Sequence, residues 1–132
     1  MNVRDRDGET PLHYEFLKNE KNLDVLKVLV SNKCDINIKN KSQRYATPLH
    51  TLLNNEQKPQ ENIIEIFDFL IENKASVNST DVFAGSPLHV LCENFQIDKN
   101  IKIEFMLKLI EYKCDVNSKD NGGNTALHVE CK

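Results

Sequence analysis

The sequence predicts an all-α fold, a solenoid in which helix-turn-helix units stack one on another and hairpin-like connectors join them. Three observations support this prediction: a recurring tetrapeptide, an apolar helical segment after each copy, and a short polar stretch that closes each unit. The tetrapeptide, which reads Thr or Ser, Pro or Ala, Leu and His, occupies residues 10–13, 47–50, 86–89 and 125–128. Its copies are 37, 39 and 39 residues apart, so the chain is built from a repeated unit.

Each tetrapeptide predicts the start of the first helix of its unit. A Ser or Thr hydroxyl just before a helix accepts a hydrogen bond from a backbone N–H group of the first turn. Proline at the first helical position has no N–H group that would be left without a partner. The predicted caps are Thr10, Thr47, Ser86 and Thr125.

A second, buried helix is predicted in each unit from segments whose apolar residues recur with helical spacing. These segments are residues 25–30, 66–71 and 105–110, each with apolar side chains around one polar position. In the second unit, Asn62 followed by Glu65 three residues later resembles a capping box, which predicts a helix start at this point.

Polar, turn-forming stretches close the units after Asn37, Asn78 and Asn117 and predict tight connectors. One unit cannot bury the apolar faces of both its helices, so neighbouring units must supply the core for one another. With 132 residues the chain is predicted to be a single domain over residues 1–132. Its units are expected at about residues 8–45, 46–84 and 85–123, with a partial unit at 124–132.

Composition excludes several kinds of partner. Seventeen Lys and Arg against twenty Asp and Glu leave a net charge of -3, without the basic excess of a nucleic-acid-binding protein. Apolar runs are interrupted by charged residues, so we expect neither a signal peptide nor contact with a membrane. The four cysteines lack CxxC spacing and are expected to be reduced thiols that pack as small apolar side chains. These features predict an intracellular, most simply cytoplasmic, monomer.

The sequence offers no catalytic constellation. It contains no nucleophile paired with a base, no glycine-rich phosphate loop and no spaced pair of carboxylates. One histidine recurs in each unit, but stacked helices lie about 8–10 Å apart, and histidines at that spacing cannot converge on one metal ion. We therefore expect a protein that is not an enzyme and that needs no metal, cofactor or small-molecule substrate.

The tetrapeptide and its connectors resemble the ankyrin repeat, whose first helix opens with Thr-Pro-Leu-His. The resemblance covers essentially the whole chain and implies a non-catalytic module that binds another protein. It also implies that each histidine ring links its helix to a connector through hydrogen bonds. An alternative is an ankyrin segment that targets or regulates a larger protein, such as a ubiquitin-ligase adaptor or an enzyme.

The departures from the ankyrin pattern lead to further expectations. Extra residues fall between the two helices of a unit, around residues 58–61 and 96–99, and such long loops look like those of some viral and parasite ankyrin proteins. Lysine replaces the glycine that usually follows the second helix, and a left-handed lysine costs about 1 kcal/mol relative to glycine. The acidic residues Glu15 and Glu130 replace small residues of the first helix and are expected to reach solvent near the ends of the stack.

In a solenoid the connector tips and first helices line one extended face, which is where a partner is expected to bind. Tyr45 and the pair Val82 and Phe83 are the strongest candidates, because an aromatic or apolar residue at an exposed tip has no core to enter. Phe83 could instead fold back onto the neighbouring connector. The full set of candidate partner-binding residues is Arg6, Tyr14, Arg44, Tyr45, Thr51, Val82, Phe83, Val90, Asn94 and Asn121.

Overall fold

A computed structural model describes residues 4–6, 8–17, 22–41, 45–54 and 63–131. Seven helices and no strand occur in these ranges, and they alternate between first and second helices of successive units. The helices are α1 (Pro11–Leu17), α2 (Leu23–Ser31), α3 (Pro48–Leu53), α4 (Ile63–Glu72), α5 (Pro87–Glu93), α6 (Lys99–Glu111) and α7 (Ala126–Glu130). The predicted all-α architecture is confirmed; the capping box expected from Asn62 lies outside the described residues.

The first helices begin where the tetrapeptides predict. Before α3, α5 and α7 the cap hydroxyl accepts from the backbone N–H group of the histidine three residues later. The histidine Nδ1 in turn accepts from the backbone N–H group of the cap, at 3.3 Å for His50 and 3.2 Å for His89. Histidine thus fills the role that Glu or Gln plays in an ordinary capping box, which satisfies two donors at each helix start.

The core runs as a row along the stack. The first helices contact in the order α1, α3, α5 and α7, and α4 packs on α6 beside them. Between these second helices the rings of Phe67 and Phe105 stack with centroids 4.7 Å apart, and both side chains are fully buried. Each unit therefore buries its apolar face against its neighbours, as a solenoid requires.

The second helices end at lysines in the left-handed conformation. The φ angles of Lys33, Lys74 and Lys113 are 62°, 69° and 64°. At each end the lysine N–H and the N–H of the next residue bond back to carbonyl groups of the last turn, as Ala75 N to Leu70 O at 3.0 Å shows. This is the hydrogen-bond pattern of a Schellman motif, with lysine in the position that glycine usually holds.

The two acidic residues of the first helices differ in environment. Glu130 is exposed as expected, and its carboxylate lies 3.0 Å from the Lys102 ammonium. The expectation that Glu15 reaches solvent is wrong: the side chain is 3% exposed, and its Oε1 accepts from the Asn22 N–H group at 2.8 Å. The reason is that the start of α2 lies beside Glu15, and an anion is stabilised by the N–H groups at a helix N-terminus.

Candidate interaction surface at the connector tips

The histidines position the connectors. In three of the four histidines the Nε2 atom bonds a carbonyl oxygen of the following connector: His13 with Ala46 at 3.3 Å, His50 with Gly85 at 3.1 Å and His89 with Asn124 at 2.8 Å. One ring therefore ties a helix cap to the next connector, which confirms the role implied by the resemblance. Among the described residues there is no group of three or more His, Cys, Asp or Glu side chains that could hold a metal ion.

We number the connectors by the first helix that each precedes: the first covers residues 4–9, the second 39–46, the third 80–85 and the fourth 119–124. Each is closed like a small hairpin. In the third, Asp81 donates its N–H to Gly85 O at 3.0 Å, while its Oδ1 accepts from the N–H groups of Phe83 and Gly85. Asp120 makes the same set of bonds in the fourth connector. An acidic side chain in the turn, buried at Asp81 and half-buried at Asp120, thus fixes the backbone from which the tip side chains project.

The second connector is built differently. Asn40 donates its N–H to Ala46 O and accepts from the Ala46 N–H through its Oδ1, both at 3.0 Å. Two more residues lie between the closing positions here than in the third connector, which agrees with the longer spacing in the sequence.

In every connector the residue two positions before the helix cap lies in the left-handed region. Gly8 and Gly123 hold this position at φ 75° and 77°, whereas Tyr45 and Ala84 hold it at 53° and 59°. Glycine adopts this conformation without strain, and a residue with a side chain pays about 1 kcal/mol. Tyr45 therefore occupies a position where the left-handed backbone conformation favours glycine.

Hydrogen bonds join neighbouring connectors into one continuous strip. Arg4 Nη1 donates to Lys39 O and Lys39 Nζ donates to Thr80 O, both at 2.7 Å. Asn121 N donates to Phe83 O at 2.9 Å. All four tips are thus linked, so side chains on successive tips keep a fixed relation to one another.

Most of the predicted partner-binding residues lie on this strip or beside it. The exposed ones are Arg6, Tyr14, Tyr45, Val82, Phe83 and Asn121, and Thr51 is half-buried. The Tyr14 hydroxyl donates to the Asp5 carboxylate, so it belongs to the first connector as well as to α1. Arg44 lies outside the described residues. We name the exposed tip residues Arg6, Tyr45, Val82, Phe83 and Asn121 the tip ribbon.

Two of the predicted partner-binding residues are inaccessible. Val90 is 2% exposed and Asn94 is 6% exposed. The Asn94 side chain donates to Leu53 O at 2.9 Å, so it joins α3 and α5. Both side chains are therefore buried in the stack, because α3 and α7 pack on either side of α5 and cover positions that are open in a single helix.

Sequence reasoning also missed exposed residues. Lys39 and Lys41 lie on the second connector and are exposed. The register could have indicated Lys39, since it follows the closing Asn37 by two residues, as Lys119 follows Asn117. Phe95, in the loop after α5, is the most exposed large apolar side chain of the described residues at 76%, and no pattern in the sequence indicated it.

These features define a class: a helical-repeat protein with capped helix pairs, hairpin connectors and one linking histidine per unit. A family model described as ankyrin repeats in three copies matches residues 1–81. The chain belongs to the ankyrin repeat family, as the tetrapeptides predict. Ankyrin repeats generally bind other proteins and are typically non-catalytic. A search of curated proteins finds no match. Among the described helices, none is long and apolar enough to cross a membrane.

Proposed function

We propose that this chain is a non-catalytic interaction module that binds a partner protein through the tip ribbon and the exposed part of the first helices. The observation that carries the proposal is the exposure of Tyr45, Val82 and Phe83 at 50%, 46% and 55% on adjacent, hydrogen-bonded connectors. Aromatic side chains on a preorganised backbone supply contact area at low entropic cost on binding.

The conformation of Tyr45 supports the same conclusion. Backbone strain persists where the surrounding structure enforces it, and it is concentrated at functional positions. Tyr45 has φ 53°, and its side chain is half exposed. A residue that neither packs in the core nor suits its backbone is well explained by contact with a partner, in which tyrosine is a frequent hot spot.

The test is a screen for binding partners followed by paired substitutions. Phe83→Asp and Tyr45→Ala are each expected to weaken the affinity for a specific partner about 30-fold. This ratio corresponds to a loss of about 2 kcal/mol of binding free energy at a hot spot. Leu107→Asp is the matched control, since Leu107 is 63% exposed on α6 and receives the same charge. Loss of binding in Leu107→Asp with normal binding in Phe83→Asp would place the binding face elsewhere.

The proposal describes an intracellular, cytoplasmic monomer that uses no cofactor and contacts neither nucleic acid nor membrane. Free thiols at Cys34, Cys92 and Cys114, all buried, suit a reducing compartment. Sedimentation tests the monomeric state, and localisation of the tagged protein tests the compartment. In the alternative, the same surface targets or regulates a larger protein such as a ubiquitin-ligase adaptor or an enzyme, and the full reading frame distinguishes the two.

A further inference from the structure

The described residues of the first two connectors carry four cationic side chains, those of Arg4, Arg6, Lys39 and Lys41. Arg6, Lys39 and Lys41 are exposed and Arg4 is half-buried. The described hydrogen bonds of Arg4 and Lys39 go to backbone carbonyl oxygens, which carry no formal negative charge. The described ion pairs between a lysine and a carboxylate involve Lys102 and Lys108, which lie on α6.

Two acidic residues of the first connector take part in bonds of the fold. Asp5 is exposed, and it accepts from the Glu9 N–H at 3.0 Å and from the Tyr14 hydroxyl. Glu9 is buried, and its carboxylate lies 3.7 Å from His13 Nδ1. The described residues of the first two connectors therefore include four cations and two carboxylates, a net charge of +2, although the whole chain carries -3.

Of the second helices, α4 is the acidic one. It carries exposed Glu65 and Glu72 and no basic residue, whereas α6 carries three lysines against Glu104 and Glu111. A negatively charged partner is thus repelled by α4 and attracted to the first two connectors.

The cations are also ordered along the stack. Arg4 and Lys39 hold equivalent positions on successive connectors, and Arg4 donates to the carbonyl oxygen of Lys39. Stacked helices are separated by about 8–10 Å, and an extended chain advances about 3.3 Å per residue. Carboxylates on one face of an extended segment, about 8–10 Å apart along it, can therefore meet successive connectors.

Apolar side chains continue the same strip in the direction of the third unit. Lys39 Nζ donates to Thr80 O, which places the second connector directly beside the one that carries Val82 and Phe83. Tyr45 projects from the second connector itself. A ligand that lies along the strip meets positive charge first and an aromatic and apolar patch next.

We propose that the tip ribbon, together with Arg4, Lys39 and Lys41, binds an extended acidic segment of a partner protein. Carboxylates of that segment contact the first two connectors, and an apolar side chain packs on Tyr45 and Phe83. This inference rests on the proposed function and adds the chemistry of the partner.

The test uses a display library of random peptides of about twelve residues, long enough in extended form to span the four tips at about 3.3 Å per residue. Peptides are selected on the intact chain. Enriched sequences are expected to carry several Asp or Glu residues and at least one apolar residue. Raising NaCl from about 50 to about 300 mM is expected to weaken their binding about tenfold, because salt screens exposed charges.

The double variant Lys39→Glu, Lys41→Glu is expected to lose binding of these peptides by tenfold or more. Its matched control, Lys99→Glu with Lys113→Glu, makes the same change in net charge at exposed positions on α6 and at its end and is expected to bind normally. Equal losses in both variants, enrichment without acidic residues, or no enrichment at all would each overturn the inference.

The failure of this inference can be told from failure of the proposed function. In one outcome the enriched peptides are not acidic, and their binding is abolished by Phe83→Asp and retained in Leu107→Asp. In that case the tip ribbon binds a different class of peptide, and the proposed function stands. If binding is lost in Leu107→Asp alone, both proposals fail.

Discussion

Five residues with side chains occupy the left-handed region among the described residues, and hydrogen bonds of the surrounding backbone hold each of them there. Lys33, Lys74 and Lys113 end the second helices, where the Schellman bonds hold the backbone. Tyr45 and Ala84 occupy connector tips, where the hairpin bonds do the same. The chain thus carries local strain of about 1 kcal/mol at each site, maintained by the surrounding hydrogen bonds.

Replacing Lys74 by glycine is expected to raise the free energy of unfolding by about 1 kcal/mol, because glycine adopts φ 69° without strain. Urea denaturation followed by circular dichroism measures the change. Lys27→Gly, an exposed interior position of α2, is the control and should lower stability by about 1 kcal/mol. A lower stability for Lys74→Gly would contradict the strain argument.

The two left-handed glycines differ in their surroundings. A Cβ atom added at Gly8 would lie 2.6 Å from Lys41 Cβ and 2.9 Å from its backbone N, whereas one added at Gly123 meets nothing within 4 Å. Gly123→Ala should therefore lose about 1 kcal/mol of stability from backbone strain alone. Gly8→Ala should lose about 2–3 kcal/mol, because the second connector must also shift. Equal losses in thermal or urea unfolding would show that the two connectors do not touch.

At the scale of elements, the histidine links make each connector part of the unit before it. His50 is buried and bonds both the Thr47 cap and Gly85 O of the next connector. The bonds described for His128 are confined to its own cap, and that residue is exposed.

His50→Ala is accordingly expected to lower the free energy of unfolding by about 2–4 kcal/mol, since it leaves buried groups without partners and opens a cavity. His128→Ala, the same change at an exposed position, should cost about 1 kcal/mol or less. Chemical denaturation of the two variants compares them directly, and similar losses would mean that the link between units contributes little.

The pKa of His13 is lowered from 6.5, mainly because burial disfavours the charged ring; Glu9 and the bond to Ala46 act in the opposite direction. His13 in the unfolded chain thus binds a proton near pH 6.5, whereas in the folded chain it binds that proton only at lower pH. The stability that His13 confers is complete above this pH and is lost as the pH falls below it. The free energy of unfolding, measured at about pH 7.5 and 5.5, should fall less on acidification in His13→Gln than in the wild type. An equal loss in both would exclude His13 as its source.

At the scale of the whole molecule, the stack converts one repeated motif into a surface that changes along its length. The caps, the histidine links and the lysine helix ends recur from unit to unit, whereas the tip changes from Arg4 and Arg6 to Tyr45 and then to Val82 and Phe83. Selection for stability acts on the recurring positions, and recognition can reside in the varied ones.

The fold followed from the sequence because its signals are short-range. A cap at Thr47, a proline after it and a histidine three residues later lie within one helical turn, so their geometry is set locally. Repetition then identified the stacking, since one unit cannot bury its own apolar faces. The left-handed Lys74 could be predicted in the same way, from its place after a helix.

The composition of the binding surface was decided by tertiary structure. Tyr14 and Val90 occupy the same position of their units, yet Tyr14 is 49% exposed and Val90 only 2%, because the neighbouring helices cover α5 on both sides. Glu15 is buried because the start of α2 supplies an N–H group to its carboxylate. By itself the sequence determined the repeat, its helices and its links, which depend on nearby residues. Which side chains remain open to a partner depends on contacts between units far apart in the chain, and only the folded stack decides those.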